Sequence, residues 1–107
     1  MKNTKLALQS FLEYLQIEKN YSQYTIVCYR RDIEQFLQFM DEEGIGGLDE
    51  VAYSDVRLYL TKLYGQQLAS RSVARKISSL RSFYKFLLRE GWAAENPFVL
   101  AALPKKE

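Results

Sequence analysis

A chain of 107 residues, 48% hydrophobic and 14% aromatic with only 2 prolines and 5 glycines, has the length of one domain with a modest core, and its composition excludes a disordered chain. It has no histidine and a single cysteine, Cys28, which removes imidazole chemistry, most zinc sites and any internal disulfide. The formal net charge of +2 hides a segregation: residues 41–55 hold six acids and no base, whereas residues 70–89 hold six bases and no acid, a dipolar layout that steers a polyanion to one end.

The predicted elements, in chain order, are all helices. The first is expected over 4–18, with Leu8, Phe11, Leu12 and Leu15 as its inward stripe and Leu6, Tyr14 and Ile17 widening the apolar coverage. That width implies burial on more than one side or a surface offered to a partner. Asn20-Tyr21-Ser22 makes a turn, and Ser22 is the natural N-cap of a second helix over 23–43. Its core face is Ile26, Tyr29, Ile33, Phe36, Leu37 and Met40. Its outer face opens with Tyr24, Val27, Cys28 and Arg31, and Phe39 is expected to point away from the core. Gly44 stops this helix. Gly44-Ile45-Gly46-Gly47 follows no strand and precedes no lysine, so it reads as a turn and not as a phosphate loop.

A third helix capped by Ser54 is expected to run to Tyr64, with Val56, Tyr59, Leu60 and Leu63 inward and Gly65 ending it. Ser70 then caps a fourth helix, SRSVARKISSLRSFYKFLLR, whose apolar side is Val73, Ile77, Leu80, Tyr84, Leu87 and Leu88. The opposite side carries Arg71, Arg75, Ser78, Ser82, Lys85 and Arg89, with Lys76 and Arg81 on its shoulders. Solvated helix faces ordinarily interleave acids with bases. This one leaves its repulsion uncompensated, which points to an anion outside the chain. Trp92 is expected to plug the helix ends, and Asn96-Pro97 to open a short fifth helix over 98–103. Residues 104–107, Pro-Lys-Lys-Glu, read as the start of a linker.

Catalysis fails on inventory. Cys28 has no imidazole partner, and the adjacent carboxylates of Asp41-Glu42-Glu43 point in different directions on a helix. The expectation is no catalytic residue, no metal and no cofactor, so that this chain alone is not an enzyme. No apolar run approaches about 18 residues, and the N-terminus lacks a signal-peptide pattern. No membrane partner is expected, and the expected address is the cytoplasm. The residues themselves leave two main readings open: two helix faces that enter a major groove of duplex DNA, or a helical interaction domain whose basic face meets an acidic protein. A dimeric transcriptional regulator is a third.

Three stretches, FLEYLQIEKNYSQYTIVCYRRDIEQFLQF, SRSVARKISSLRSFYKFLLREGWAAENPF and LPKK, resemble in this order the N-terminal core-binding domain of bacterial tyrosine recombinases, most of all the XerC/XerD type. The likeness is carried by T-x3-YRRD at Thr25 and 29–32, LRSFYKFL at 80–87, and the ENP and LPK exit. It implies an all-α, SAM-like bundle of four main helices plus a short C-terminal one, spanning 1–103, with 104–107 leading to a C-terminal catalytic domain outside this chain. It also implies that this domain is the upper half of a clamp on duplex DNA, with its second and fourth helices at the major groove of a recombination half-site. The catalytic domain would then form a 3′-phosphotyrosyl intermediate, and sister recombinase subunits would assemble in a synaptic tetramer.

Carried onto this sequence, the groove-facing residues are Tyr24, Thr25, Cys28 and Arg31, then Arg71, Ser72, Arg75, Ser79 and Ser82. Arg71 and Arg75 are the expected readers of base edges or adjacent phosphates. Ser22, Arg30, Lys76, Arg81 and Lys85 are expected on phosphates. Arg30 or Arg81 could instead hold an internal carboxylate such as Asp32 or Asp55. Phe39 and Phe86, with parts of the first and fifth helices, are the expected contacts to a neighbouring subunit or to the catalytic domain.

Overall fold

Asn3 and Ser22 begin the first two helices in the same way: a side-chain oxygen accepts from a backbone N–H that the helix itself leaves unpaired, Lys5 N at 2.8 Å and Thr25 N at 3.2 Å. The computed structural model describes residues 3–99 and 101. Its helices are α1 (Thr4–Ile17), α2 (Gln23–Glu43), α3 (Tyr53–Gly65) and α4 (Ser70–Glu90), with a short 3-10 turn at Leu48–Glu50 before α3. There is no strand among the described residues.

The expected boundaries hold closely for α2 and α4, and both helices stop at a glycine in the left-handed region, Gly44 at φ 71° and Gly91 at φ 77°. Two caps differ from expectation. α3 starts one residue before Ser54, because the Asp55 carboxylate reaches back to accept from Ala52 N at 2.8 Å. Ser70 is the first residue of α4 and Ala69 its N-cap.

α4 is the central element, packed against α1, α2 and α3. Contact on three sides buries more of its circumference than one stripe: Phe83 and Phe86 are inside with Val73, Ile77, Leu80, Tyr84 and Leu87. Leu88, expected inward, is exposed. Phe86 is not a surface group; its ring meets Tyr14 at 5.0 Å, Phe11 at 5.5 Å and Trp92 at 5.8 Å. Phe39 is buried as well, 4.9 Å from Tyr59 and 5.7 Å from Phe36. The aromatic density of the chain is thus spent on a connected ring network.

Beyond Gly91, Trp92 packs on the core edge as expected. The described part of the expected fifth helix, Pro97 to Val99, is a turn; residues 100 and 102–107, including the expected linker, lie outside the described residues. Asn96 shapes this turn, accepting from Phe98 N at 3.0 Å while its amide donates to the Arg81 carbonyl at 3.2 Å. Phe98 is fully buried against Phe36 and Tyr84.

Candidate nucleic-acid interface

The seam between α2 and α4 is built around a carboxylate. Asp32 lies one turn after Cys28 and two turns after Tyr24, and is completely buried. An unpaired carboxylate there would be strongly destabilising. Four donors from α4 surround it: Arg75 Nε at 3.2 Å, Arg75 Nη2 at 3.0 Å, Lys76 Nζ at 3.2 Å and Ser79 Oγ at 2.9 Å. Lys76 also donates to the Gln35 side-chain oxygen. With one carboxylate and two cations, the cluster keeps a net positive charge.

Several expected site residues therefore stand differently from their wheel positions. Lys76 and Ser79, expected to face outward, are buried and serve Asp32. Arg75 also binds Asp32, yet its side chain remains 51% exposed. Its pKa is raised, first by the hydrogen bonds to Asp32, with the electrostatic influence of Cys28 and Tyr24 adding to the Asp32 charge. Arg81 is turned to the C-terminal turn, donating to the carbonyls of Phe98 at 3.2 Å and Ala101 at 3.3 Å. The alternative of an internal carboxylate was sound in kind but falls on Arg75 and Lys76, not on Arg30 or Arg81.

The other expected residues remain at the surface. Tyr24, Arg30, Arg31, Arg71 and Lys85 are exposed, and Thr25, Cys28, Ser72 and Ser82 are half-buried. Ser22 is exposed but engaged as the α2 cap, with its hydroxyl 3.0 Å from that of Thr25. Among the described residues no carboxylate lies within ion-pair distance of Arg30, Arg31, Arg71 or Lys85. Arg89, by contrast, is paired with Glu18 at 3.5 Å and Glu90 at 3.2 Å and stacks over Tyr14.

Two grooves flank the seam. One, of about 300 Å³, runs between the end of α1 and α4, with Phe11, Tyr21 and Tyr29 in its wall and Lys19 and Lys85 at its rim. Burial raises the pKa of the Tyr29 phenol there, and the neighbouring Tyr21 adds to the rise. The other, of about 440 Å³, lies between α2 and α3 and takes in Arg31, so that Arg31 lies on the α3 side of the face. Among the described residues no group of histidine, cysteine or carboxylate side chains could hold a metal ion, and no helix is long and apolar enough to cross a membrane.

Asp32, named in the sequence only as a candidate partner for Arg30 or Arg81, is the buried seam residue whose place the helical wheel did not show. Its signal was available only in combination: an acid beside the core residue Ile33 of α2, and two adjacent bases, Arg75-Lys76, followed by Ser78-Ser79 on α4.

Four helices, a central α4 and an ionic α2–α4 seam define the class as an all-α, SAM-like bundle. More particularly, the chain belongs to the phage integrase N-terminal SAM-like domain family, whose model matches residues 8–91. It is 63% identical over 107 residues to a tyrosine recombinase XerC of Anoxybacillus flavithermus, covering all of this chain and 36% of that protein. Against tyrosine recombinase XerC of Bacillus subtilis it is 55% identical over 107 residues, again all of this chain and 35% of the relative. Against that of Listeria monocytogenes it is 48% identical over 99 residues, 92% of this chain and 33% of the relative. The chain thus spans about a third of the length of these relatives. No solved structure matches it significantly.

Proposed function

We propose that this chain is the DNA-binding module of a site-specific tyrosine recombinase, gripping a recombination half-site through α2 and α4. The observation that carries the reading is the α2–α4 face itself. Arg30, Arg31, Arg71 and Lys85 of these two helices are exposed with no carboxylate partner among the described residues, and Arg75 stays half-exposed after pairing with Asp32. Surfaces that bind duplex DNA need cations placed for phosphates and guanidinium groups placed for base edges. Tyr24, Thr25, Cys28, Ser72 and Ser82 supply the smaller polar and apolar contacts between them, and Ser22 offers the α2 start to a phosphate. Lys76, Ser79 and Arg81 support the face from within.

In this reading residues 1–103 are the binding domain and 104–107 begin the linker to a catalytic domain. That domain performs strand cleavage and exchange through a 3′-phosphotyrosyl intermediate in the cytoplasm, and this chain needs no cofactor. Exposed apolar residues of α1, Leu6 and Ile17, would meet sister subunits of a synaptic tetramer.

The test is duplex binding by fluorescence anisotropy as salt is raised. Four to six phosphate contacts give a log–log slope of about −4 to −5. Absence of duplex binding, with retention of an acidic protein, would replace this reading by that of a helical protein-interaction domain.

A further inference from the structure

The guanidinium of Arg75 has five N–H donors in a planar fork. Two of them, on Nε and Nη2, are directed at Asp32. The carboxylate therefore grips the side of the fork, and among the described residues its outer end, the Nη1 and Nη2 edge, has no further hydrogen-bond partner. The Arg75 side chain is half-exposed, and Asp32 lies on the same α2 face as Cys28, which is one turn earlier. The grip is itself anchored: Asp32 cannot swing toward solvent, because Lys76 and Ser79 hold both of its oxygens inside the bundle. A free surface arginine samples many rotamers and loses that freedom on binding. Arg75 has already lost it.

We propose that Asp32 is a positioning residue for DNA recognition: from inside the bundle it fixes Arg75 side-on, so that the outer Nη edge is presented as a rigid fork to the O6 and N7 acceptors of a guanine in the major groove. The inference rests on the DNA-binding reading above. The second cation of the cluster, Lys76, has a distinct part in it. A lone Asp–Arg pair would be neutral and would weaken the pull on a guanine edge, whereas Lys76 takes up the carboxylate charge from the buried side and leaves Arg75 electropositive outward.

The experiment is a double-mutant cycle on this chain with Asp32→Asn and Arg75→Ala. The probe is a duplex library with a randomised central segment, from which the wild-type chain selects a preferred duplex. Each variant is first confirmed as folded by circular dichroism. Asp32→Asn should lower the preference for guanine at one position by about tenfold. In the Arg75→Ala background it should change nothing, because the residue it acts through is gone. The same loss from Asp32→Asn in both backgrounds, or an equal loss on every sequence, overturns the inference while the DNA-binding reading stands. Failure of the wild-type chain to select or bind any duplex overturns the DNA-binding reading, and this inference with it.

Because Asn at a buried ionic site can prevent folding, the wild-type chain provides an independent measurement. In its 15N spectrum without DNA, the Arg75 Nε–H signal should persist near neutral pH and sit apart from that of Arg71. An Arg75 signal that exchanges as rapidly as that of Arg71 overturns the inference without any variant.

Discussion

Asp32 of α2 and Lys76 of α4 meet at 3.2 Å in the interior, the lysine almost as fully enclosed as the carboxylate. Lysine on an amphipathic helix ordinarily extends its charge into water along an apolar stem. Here it runs inward, and its removal leaves Asp32 with Arg75 and Ser79 alone. Lys76→Ala is expected to lower stability by about 3 kcal/mol, the range for breaking a buried ion pair from one side. Urea unfolding of the variant measures it, and a loss of less than about 1 kcal/mol would mean that the lysine is dispensable to the seam.

Tyr59 offers the opposite expectation. Its hydroxyl is buried and has no hydrogen-bond partner among the described residues, while its ring packs between Phe36 and Phe39. Tyr59→Phe keeps the ring and removes a desolvated oxygen, so it should raise stability by about 1 kcal/mol. A destabilised variant in the same urea assay would show that the hydroxyl is satisfied in solution.

Tyr59 and Tyr84 also predict an alkaline limit. Burial pushes both phenols well above their usual range, with the charge of Asp32 adding to the effect at Tyr59, and those of Asp49 and Asp55 at Tyr84. The unfolded chain loses these protons near pH 10 while the folded chain keeps them, so the unfolded state binds fewer protons and stability falls as pH rises. Each phenol contributes a slope of about 1.4 kcal/mol per pH unit above about pH 10. Absorbance at the phenolate band should show these two titrating only as the fold is lost. Smooth titration of all eight tyrosines in the folded chain would contradict the expectation.

Among the described residues Arg71 and Lys85 have no carboxylate within ion-pair distance, and their replacement tests the outer face without disturbing the seam. Arg71→Ala and Lys85→Ala should each weaken duplex binding to a similar degree on all sequences and reduce the salt slope by about 1, with unchanged melting temperatures. A sequence-selective loss at either position would move that residue from the phosphates to the bases.

The helices themselves were legible because each carries a start, an apolar period and a stop in its own sequence. Ser22, the 26–33–36–40 apolar positions and Gly44 define α2 without reference to anything distant. The wheel failed where burial comes from more than one neighbour. Phe39 lies off the main stripe of α2 because it faces α3, and Phe86 lies off that of α4 because it faces α1 and Trp92. The unbalanced charge of α4 reads in the sequence mainly as a demand for an outside anion, with an internal carboxylate considered only for Arg81 on this helix. Part of that balance comes from Asp32, 43 residues earlier than Arg75, and no local pattern reports a partner at that separation. Arg30, Arg31, Arg71 and Lys85 stay exposed, and Arg75 is half-exposed while bonded to Asp32.

Asp32 also ties two helices together. Its bonds to Arg75, Lys76 and Ser79 join the middle of α2 to the first half of α4, so the two helices resist sliding past one another. A pair of jaws with a locked opening behaves as a calliper. Under the proposed function, a duplex seated on both helices would have to bring its groove to their spacing, and sequences that widen or narrow with little effort would do so at lower cost. Such a gauge would favour some base steps over others even where no side chain reaches them.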